Sequence, residues 1–130
     1  MIRWITSIFK KKRYTLGCDI VEIARIQSLK DSVIDSLFNQ VEIDYFNTFK
    51  KPSEHIAGFF CAKEAIVKAL GTGINKDVTW KDISIIHDPL GKPIVCPECR
   101  LFSIFDITHI DVSISHSKQS AIATALVLFR

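Results

Sequence analysis

The sequence of 130 residues has no long hydrophobic run and no large excess of charge of either sign. No apolar stretch approaches the roughly 20 residues of a transmembrane helix, so we expect no membrane span. The formal net charge is +3. This charge is too small to demand nucleic acid, which we do not expect as a partner, and it is compatible with an acidic protein partner.

We expect neither a cleaved secretory signal nor a zinc site built from cysteines. A signal would carry its charges before the apolar run, whereas here the basic residues 10–13 follow it. The four cysteines are therefore expected to be reduced thiols in a cytoplasmic protein. Cys96 and Cys99 form a single C-x-x-C motif without a second ligand pair, which favours plain thiols over a zinc or redox site.

Internal repeats, low-complexity stretches and long linkers are absent as well. The length is that of one ordinary domain, and 48% apolar residues suffice for a core without disulfides. We predict a single domain over residues 14–130, preceded by an N-terminal extension over residues 1–13. The extension is interpreted as an ordered surface arm, with a basic amphipathic contact to a membrane or an acidic protein as the alternative.

The hydrophobic pattern changes along the chain from helical spacing to strict alternation. The predicted helices cover residues 21–37, 41–49, 54–70 and 98–105. The predicted strands cover residues 14–21, 82–87, 93–96, 111–115 and 121–129. Asn39 and Glu42 form a capping box before the second helix, and Gly71 ends the third. The fold class is therefore α+β, with helices followed by a mostly antiparallel sheet.

Three charged residues are candidates for chemistry, although each also has a plain structural explanation. Asp19 ends the first strand, where a carboxylate binds a cation or caps the following helix. Glu64 and Lys68 stand one turn apart on the long helix. They fit either a surface ion pair worth about 0.3–0.5 kcal/mol or a metal ligand followed by a phosphate-binding lysine. The apolar residues around Glu64 slightly favour the second interpretation.

His116 lies among hydroxyl groups at the end of a predicted strand. Ser115 and His116 point to opposite faces of that strand, which argues against a serine–histidine nucleophile pair. A capped turn and a phosphate contact by His116 both remain open. The glycines after the long helix are explained by helix termination, because a phosphate-binding turn usually precedes a helix.

Taken together, these segments resemble the holo-[acyl carrier protein] synthase family, the short bacterial type of 4'-phosphopantetheinyl transferase. The matching segments are GCDIVEIAR at residues 17–25, AGFFCAKEAIVKALGTG at residues 57–73, GKP at residues 91–93 and SISHS at residues 113–117. They occur in the family's order and extend over most of the chain from Tyr14 onward. The long central motif with Asp19 upstream is highly specific.

The resemblance implies transfer of phosphopantetheine from coenzyme A to a serine of an apo acyl carrier protein, in support of fatty acid biosynthesis. Adenosine 3',5'-bisphosphate would be released. By matching positions, Asp19 and Glu64 are expected to hold Mg²⁺, which prefers oxygen ligands and shares its shell with phosphates and water. Glu64 and Lys68 are the expected catalytic residues. Lys68 would bind phosphate, and either Glu64 or a water on the metal would serve as the base.

The same resemblance implies the surroundings of the site. Lys63, Lys68, Gly71 and His116 are expected to line the coenzyme A site, and Arg25 is expected to dock the acidic carrier protein. The family is usually a homotrimer with active sites between subunits, and we expect the same here.

Several features depart from the family's pattern, among them a loop before Asn39 that looks shortened and the extension over residues 1–13. Phe59 stands where the family often has arginine, and Asp31 and Asp35 stand where basic residues would help carrier docking. These departures motivate an alternative hypothesis, a catalytically impaired module that binds coenzyme A or the carrier without transfer.

Overall fold

The fold was analysed in a computed structural model that describes residues 13–130. The predicted extension, apart from Arg13, lies outside the described residues. The elements, in chain order, are β1 (Tyr14–Glu22), α1 (Ile23–Gln27), α2 (Asp31–Leu37), α3 (Gln40–Phe46), α4 (Ser53–Leu70), a 3₁₀ helix (Trp80–Asp82), β2 (Ile85–His87), β3 (Pro93–Val95), α5 (Leu101–Ile104), β4 (Ile107–His116) and β5 (Ser120–Phe129). Within this part of the chain, no helix is long and apolar enough to cross a bilayer.

The strands form two antiparallel sheets. The larger sheet has the order β1-β5-β4, and β2 and β3 form a separate hairpin. The first strand pairs with the last one in continuous register, with Tyr14 opposite Leu128 and Asp19 opposite Ala123. The predicted α+β class is thus confirmed, and the predicted first strand belongs to the same sheet as the last two.

Helix α4 lies across β1 and β5 at very short distance because small residues line the contact. The alanines of α4 that face the sheet and the core are fully or almost fully buried; they are Ala57, Ala62, Ala65 and Ala69. Strand β5 contributes a matching set of buried alanines, Ala121, Ala123 and Ala125. A Cβ atom added to Gly17 would lie 1.8 Å from the Ala65 carbonyl oxygen. The backbone of β1 therefore touches the backbone of α4.

The structure confirms some predicted boundaries and corrects others. The Asn39–Glu42 capping box is present, and Gly71 ends α4 with a left-handed φ of 75°. The predicted helix over residues 21–37 is wrong as one element, because Ser28 ends α1 and the extended backbone of Lys30 starts α2. The strand predicted from residue 82 begins only at Ile85, after the 3₁₀ helix.

Candidate functional site

The contact between β1 and α4 brings together three of the predicted site residues. Side chains of β1 alternate between the two faces of the sheet, so Asp19 lies on the same face as Gly17, toward α4. The Lys68 ammonium is 3.0 Å from the Asp19 carboxylate and 3.1 Å from the Cys18 carbonyl oxygen. The side chain of Asp19 is largely buried, whereas Lys68 is exposed.

This arrangement decides between the structural interpretations of Asp19 and Lys68. Helix α1 starts after Glu22, which occupies the cap position, so Asp19 does not cap it. The ion-pair partner of Lys68 is Asp19 on the neighbouring strand. The pair therefore joins strand and helix, and its hydrogen bond raises the pKa of Lys68.

Glu64 lies one turn before Lys68, half-buried beside Asp19. Burial raises the pKa of the Glu64 carboxyl group, and the negative charge of Asp19 raises it further. The positive charges of Lys68 and Arg25 act in the opposite direction. Two carboxylates and two cationic side chains therefore meet at one end of the β1–α4 contact. Such a site favours a ligand that carries both a cation and negatively charged oxygens.

The thiol of Cys61 lies in the same region, and the sequence reasoning assigned it no role. Its sulfur is buried and lies 3.4 Å from the Ala121 carbonyl oxygen. Burial first, and then the Asp19 carboxylate, raise the pKa of Cys61 to about 12. A thiol with this pKa stays protonated at neutral pH and is a poor nucleophile. Cys61 therefore serves as packing behind the two carboxylates.

Asp19 and Glu64 suit a magnesium site better than a zinc or calcium site. Within residues 13–130, no three or more His, Cys, Asp or Glu side chains are grouped so that they could hold a metal ion. A complete protein cage for zinc or calcium would need more ligands than Asp19 and Glu64 provide. Magnesium is commonly held by one or two carboxylates together with substrate phosphates and water. The two carboxylates fit that arrangement.

His116 lies away from this cluster, near the other end of α4. Its Nδ1 atom is 3.5 Å from the carboxylate of Glu54 in the first turn of the helix. Glu54 and Glu64 are ten positions apart in α4, which corresponds to about 15 Å along the axis of a helix. One copy of the chain therefore does not bring His116 to Asp19 and Glu64.

His116 borders a cavity of about 260 Å³ whose walls are largely aromatic. Phe59 forms part of the wall; its ring stacks on Tyr45 at 5.4 Å and on His87 at 5.4 Å between centroids. Burial lowers the pKa of His87, and burial with the nearby His116 lowers the pKa of His55. The position where the family often has arginine is thus filled by a buried ring with aromatic neighbours.

Lys63 lies in the protein interior, which argues against its predicted place in the coenzyme A site. Its ammonium nitrogen is 2.7 Å from the Glu42 carboxylate, 3.0 Å from the Leu37 carbonyl oxygen and 3.1 Å from the Trp80 carbonyl oxygen. An ammonium group has three N–H donors, so all of them are used inside the protein. Burial lowers the pKa of Lys63 despite the neighbouring Glu42.

The sequence itself indicates that Lys63 is buried, although the match to the family motif suggested a different role for it. Phe59 and Ile66 stand four residues before and three residues after it, so Lys63 falls on the apolar stripe of α4. A lysine in such a stripe indicates a buried partner. That partner, Glu42, was recognised only as a capping residue.

The other predicted residues lie on the surface. Gly71 is exposed at the end of α4, one turn beyond Lys68, and Arg25 is exposed on α1.

Cys96 donates a hydrogen bond to the Glu98 carboxylate at 3.0 Å, which raises the pKa of the thiol. Burial raises the pKa of Cys99 as well. Neither thiol has the lowered pKa of a reactive C-x-x-C pair.

Comparisons with known proteins are consistent with this geometry. The model of the 4'-phosphopantetheinyl transferase superfamily matches residues 15–126. A curated relative, the holo-[acyl-carrier-protein] synthase of Thermoanaerobacter sp. (strain X514), is 45% identical over 119 residues, which are 87% of this chain and 86% of the relative.

Two solved structures are also similar to this chain. The holo-(acyl-carrier-protein) synthase from Bacillus anthracis str. Ames in complex with CoA (3',5'-ADP) superposes with a TM-score of 0.78 and 34% identity, over 89% of this chain and 96% of that one. The Helicobacter pylori holo-[acyl-carrier-protein] synthase in complex with coenzyme A gives a TM-score of 0.78 and 36% identity, over 86% and 98%.

Proposed function

Because the chain belongs to the 4'-phosphopantetheinyl transferase superfamily, we propose that it is a holo-[acyl-carrier-protein] synthase. It transfers the 4'-phosphopantetheine group of coenzyme A to a serine of an apo acyl carrier protein and releases adenosine 3',5'-bisphosphate. The observation that carries the proposal is the meeting of Asp19, Glu64 and Lys68 where β1 crosses α4. We further propose that the reaction takes place in the cytoplasm and serves fatty acid biosynthesis.

Asp19 and Glu64 are the proposed ligands of Mg²⁺. Burial raises the pKa of Glu64 most, and repulsion by Asp19 raises it further. That repulsion is relieved when a cation lies between the two carboxylates. The chemistry supplied by the ion would be neutralisation of the charge that develops on the pyrophosphate as the donor bond breaks. Lys68 would exchange its contact with Asp19 for a phosphate oxygen, which its exposed side chain allows.

Glu64 is also the proposed acceptor of the serine proton. Burial, the largest cause of the raised pKa of Glu64, is present with or without the metal, and a carboxylate with a raised pKa takes up a proton more readily than an ordinary one. A water molecule held by the same carboxylates is the second candidate for this step. Arg25, exposed on α1 and close enough to Glu64 to affect its pKa, would bind the acidic carrier and bring its serine to the site.

We propose a homotrimer in which neighbouring subunits share each active site. Two observations support it. His116 lies far from the carboxylates within one chain, so a second copy is needed to place it beside them. Leu16 and Ile20 are 70% and 66% exposed on the sheet face that points away from α4, beside Ile122. An exposed apolar face of this kind is typical of a protein interface.

The transfer reaction is tested by incubating the protein with coenzyme A, Mg²⁺ and apo carrier proteins and weighing the carrier by mass spectrometry. We expect a gain equal to one phosphopantetheine group. Asp19→Asn and Glu64→Gln should each reduce the rate by at least about 100-fold. Asp44→Asn, which changes an exposed carboxylate on α3, serves as the matched control. Coenzyme A binding without any mass gain on several carriers would favour the impaired binding module instead.

The shared active site is tested by mixing two inactive variants. Glu64→Gln subunits and His116→Ala subunits each lack one part of the site. After joint unfolding and refolding, mixed assemblies should regain transfer activity, because some sites then combine an intact Glu64 with an intact His116. Sedimentation should report a trimer. A fully active monomer would exclude this part of the proposal.

A further inference from the structure

The ion pair of Lys63 with Glu42 is fully buried, which is rare for charged side chains. The two side chains are 1% and 0% exposed, with 2.7 Å between nitrogen and oxygen. The desolvation of two charges largely cancels their attraction, so a buried pair is weak evidence for stability. The use of a charged pair at this position therefore needs another explanation.

The hydrogen bonds of the pair connect α4 to two stretches of the chain, residues 37–42 and residues 80–85, through four backbone groups. Lys63 donates to the carbonyl oxygens of Leu37, at the end of α2, and Trp80, in the 3₁₀ helix. The Glu42 carboxylate accepts from the backbone N–H groups of Asn39, at 2.8 Å, and Ile85, at 3.1 Å. No apolar pair of similar size would hold these four backbone groups in place, because each would lose its bond to the pair. The Trp80 carbonyl oxygen would keep the bond that it accepts from the Ile83 N–H group at 3.3 Å.

One of these contacts holds the end of the segment over residues 71–79. The segment starts at Gly71, where α4 ends, and it returns to α4 at Trp80. Its exposed part is organised by the Asn75 side chain, which accepts hydrogen bonds from the N–H groups of Asp77 and Val78. Such a turn sets the local shape of the segment. The segment is also held by Val78, which is 1% exposed in the core, and by the hydrogen bond that Arg100 donates to the Asp77 carbonyl oxygen at 3.4 Å. Its placement beside the end of α4 depends on these contacts together with its two ends.

Both ends of the segment are attached to α4. The first end is the helix terminus itself, one turn after Lys68. At the second end, the Lys63 ammonium binds the Trp80 carbonyl oxygen at 3.1 Å, and the Trp80 ring packs on Phe60 with centroids 5.8 Å apart. The helix that carries Glu64 and Lys68 thereby also sets the position of the segment that follows them.

We propose that Lys63 is a positioning residue. Through the Trp80 carbonyl oxygen, it holds residues 71–79 as one wall of the coenzyme A site beside Lys68, and it does not touch coenzyme A. This inference rests on the proposed function, because it takes the predicted role of Gly71 in donor binding as given. Loss of the Lys63 contact should weaken donor binding and leave the affinity for the carrier unchanged.

The test compares two variants that differ only at Lys63. Glu42→Gln removes the ion pair and keeps the bonds from Lys63 to the Leu37 and Trp80 carbonyl oxygens. Because it leaves the buried Lys63 charge without a carboxylate, the unaltered protein becomes the reference if this variant does not fold. Lys63→Met/Glu42→Gln removes those bonds as well and leaves no unpaired charge in the interior. If circular dichroism shows that the methionine variant does not fold, it is replaced by Lys63→Gln/Glu42→Gln, which restores one amide donor.

Three quantities are measured on each variant: the KM for coenzyme A, the KM for the carrier, and the hydrogen exchange of the amides in residues 72–79. Relative to Glu42→Gln, the double variant should show about a tenfold higher KM for coenzyme A, the size expected for one hydrogen bond from a charged group. The KM for the carrier should stay within twofold, and the amides should exchange faster.

The outcomes separate this inference from the proposed function. An unchanged KM for coenzyme A together with unchanged exchange in residues 72–79 would overturn the positioning role. A loss of both affinities in parallel would also overturn it, since a general structural defect explains that result. If the unaltered protein transfers nothing, the proposed function fails, and faster exchange in the double variant still supports the positioning of the segment by Lys63.

Discussion

Replacing Gly17 by alanine tests how the candidate site is assembled. The added methyl group would lie 1.8 Å from the Ala65 carbonyl oxygen and 2.9 Å from the Ala69 nitrogen. Both obstacles are backbone atoms of a helix, so a rotamer change does not relieve the overlap. The distance to the oxygen has to grow to about 3.4 Å, where ordinary contact begins. Strand β1 and helix α4 must therefore move apart over their whole contact.

The size of the effect follows from this geometry. Overpacking a core usually costs about 1–3 kcal/mol, and a clash with rigid backbone belongs at the upper end of that range. For a chain of this length, about 3 kcal/mol corresponds to a decrease in Tm of about 10 °C. The same movement separates Asp19 from Glu64. A displacement of about 1 Å at an active site reduces the rate by about 100-fold.

The assay is thermal unfolding of Gly17→Ala followed by the transfer reaction at a temperature where the variant is folded. Gly58→Ala is the matched control in α4. Its new methyl group meets only the Ile114 Cγ2 atom at 2.8 Å. This contact requires a shift of one half-buried side chain and not of a helix backbone, and alanine is the better helix former. Its Tm should stay within about 4 °C of the unaltered protein. A Gly17→Ala protein with a Tm and a transfer rate near those of this control would refute the reasoning.

Three further predictions concern single side chains. The pKa of Glu64 is raised in the folded state, so ionised Glu64 lowers the stability of the fold once the pH rises above the ordinary carboxyl pKa. Glu64→Gln should therefore raise Tm at pH 7. The gain in Tm should vanish at a pH below the ordinary carboxyl pKa. Cys61, with a pKa of about 12, should resist iodoacetamide at pH 8 in the folded protein and react after unfolding, as peptide mass mapping would report. Phe59→Ala should lower the free energy of unfolding by about 3–5 kcal/mol in urea titrations, because it empties the middle of the aromatic cluster.

Elements set by local chemistry could be predicted from the sequence. The long helix α4 was predicted within one residue of its start, because its apolar stripe and its glycine terminator are both local signals. The Asn39–Glu42 capping box was equally local. The break between α1 and α2 was missed, because the apolar stripe continues through Ser28 while the backbone does not.

Part of the site could be predicted, because the residues that match the family motif come together in the fold. The family resemblance singled out Asp19, Glu64 and Lys68, and the structure places them together. The burial of Lys63 was not predicted, because its three acceptors come from segments 17 to 26 positions away in the chain. The place of Lys63 on the apolar stripe of α4 indicates that it has a buried partner, but no pattern within the helix identifies which residues those partners are.

The place of β5 between β1 and β4 has a consequence for how the chain folds during synthesis. Among residues 13–130, β1 has no other strand to pair with, and its partner residues lie about 100 positions later, from Glu22 with Ser120 to Tyr14 with Leu128. Strand β1 thus leaves the ribosome long before its partner exists. Contacts so distant in sequence form slowly. Until β5 emerges, the strand that carries Asp19 depends on α4 alone, and a nascent chain stalled before residue 120 exposes two unpaired strand edges to other chains.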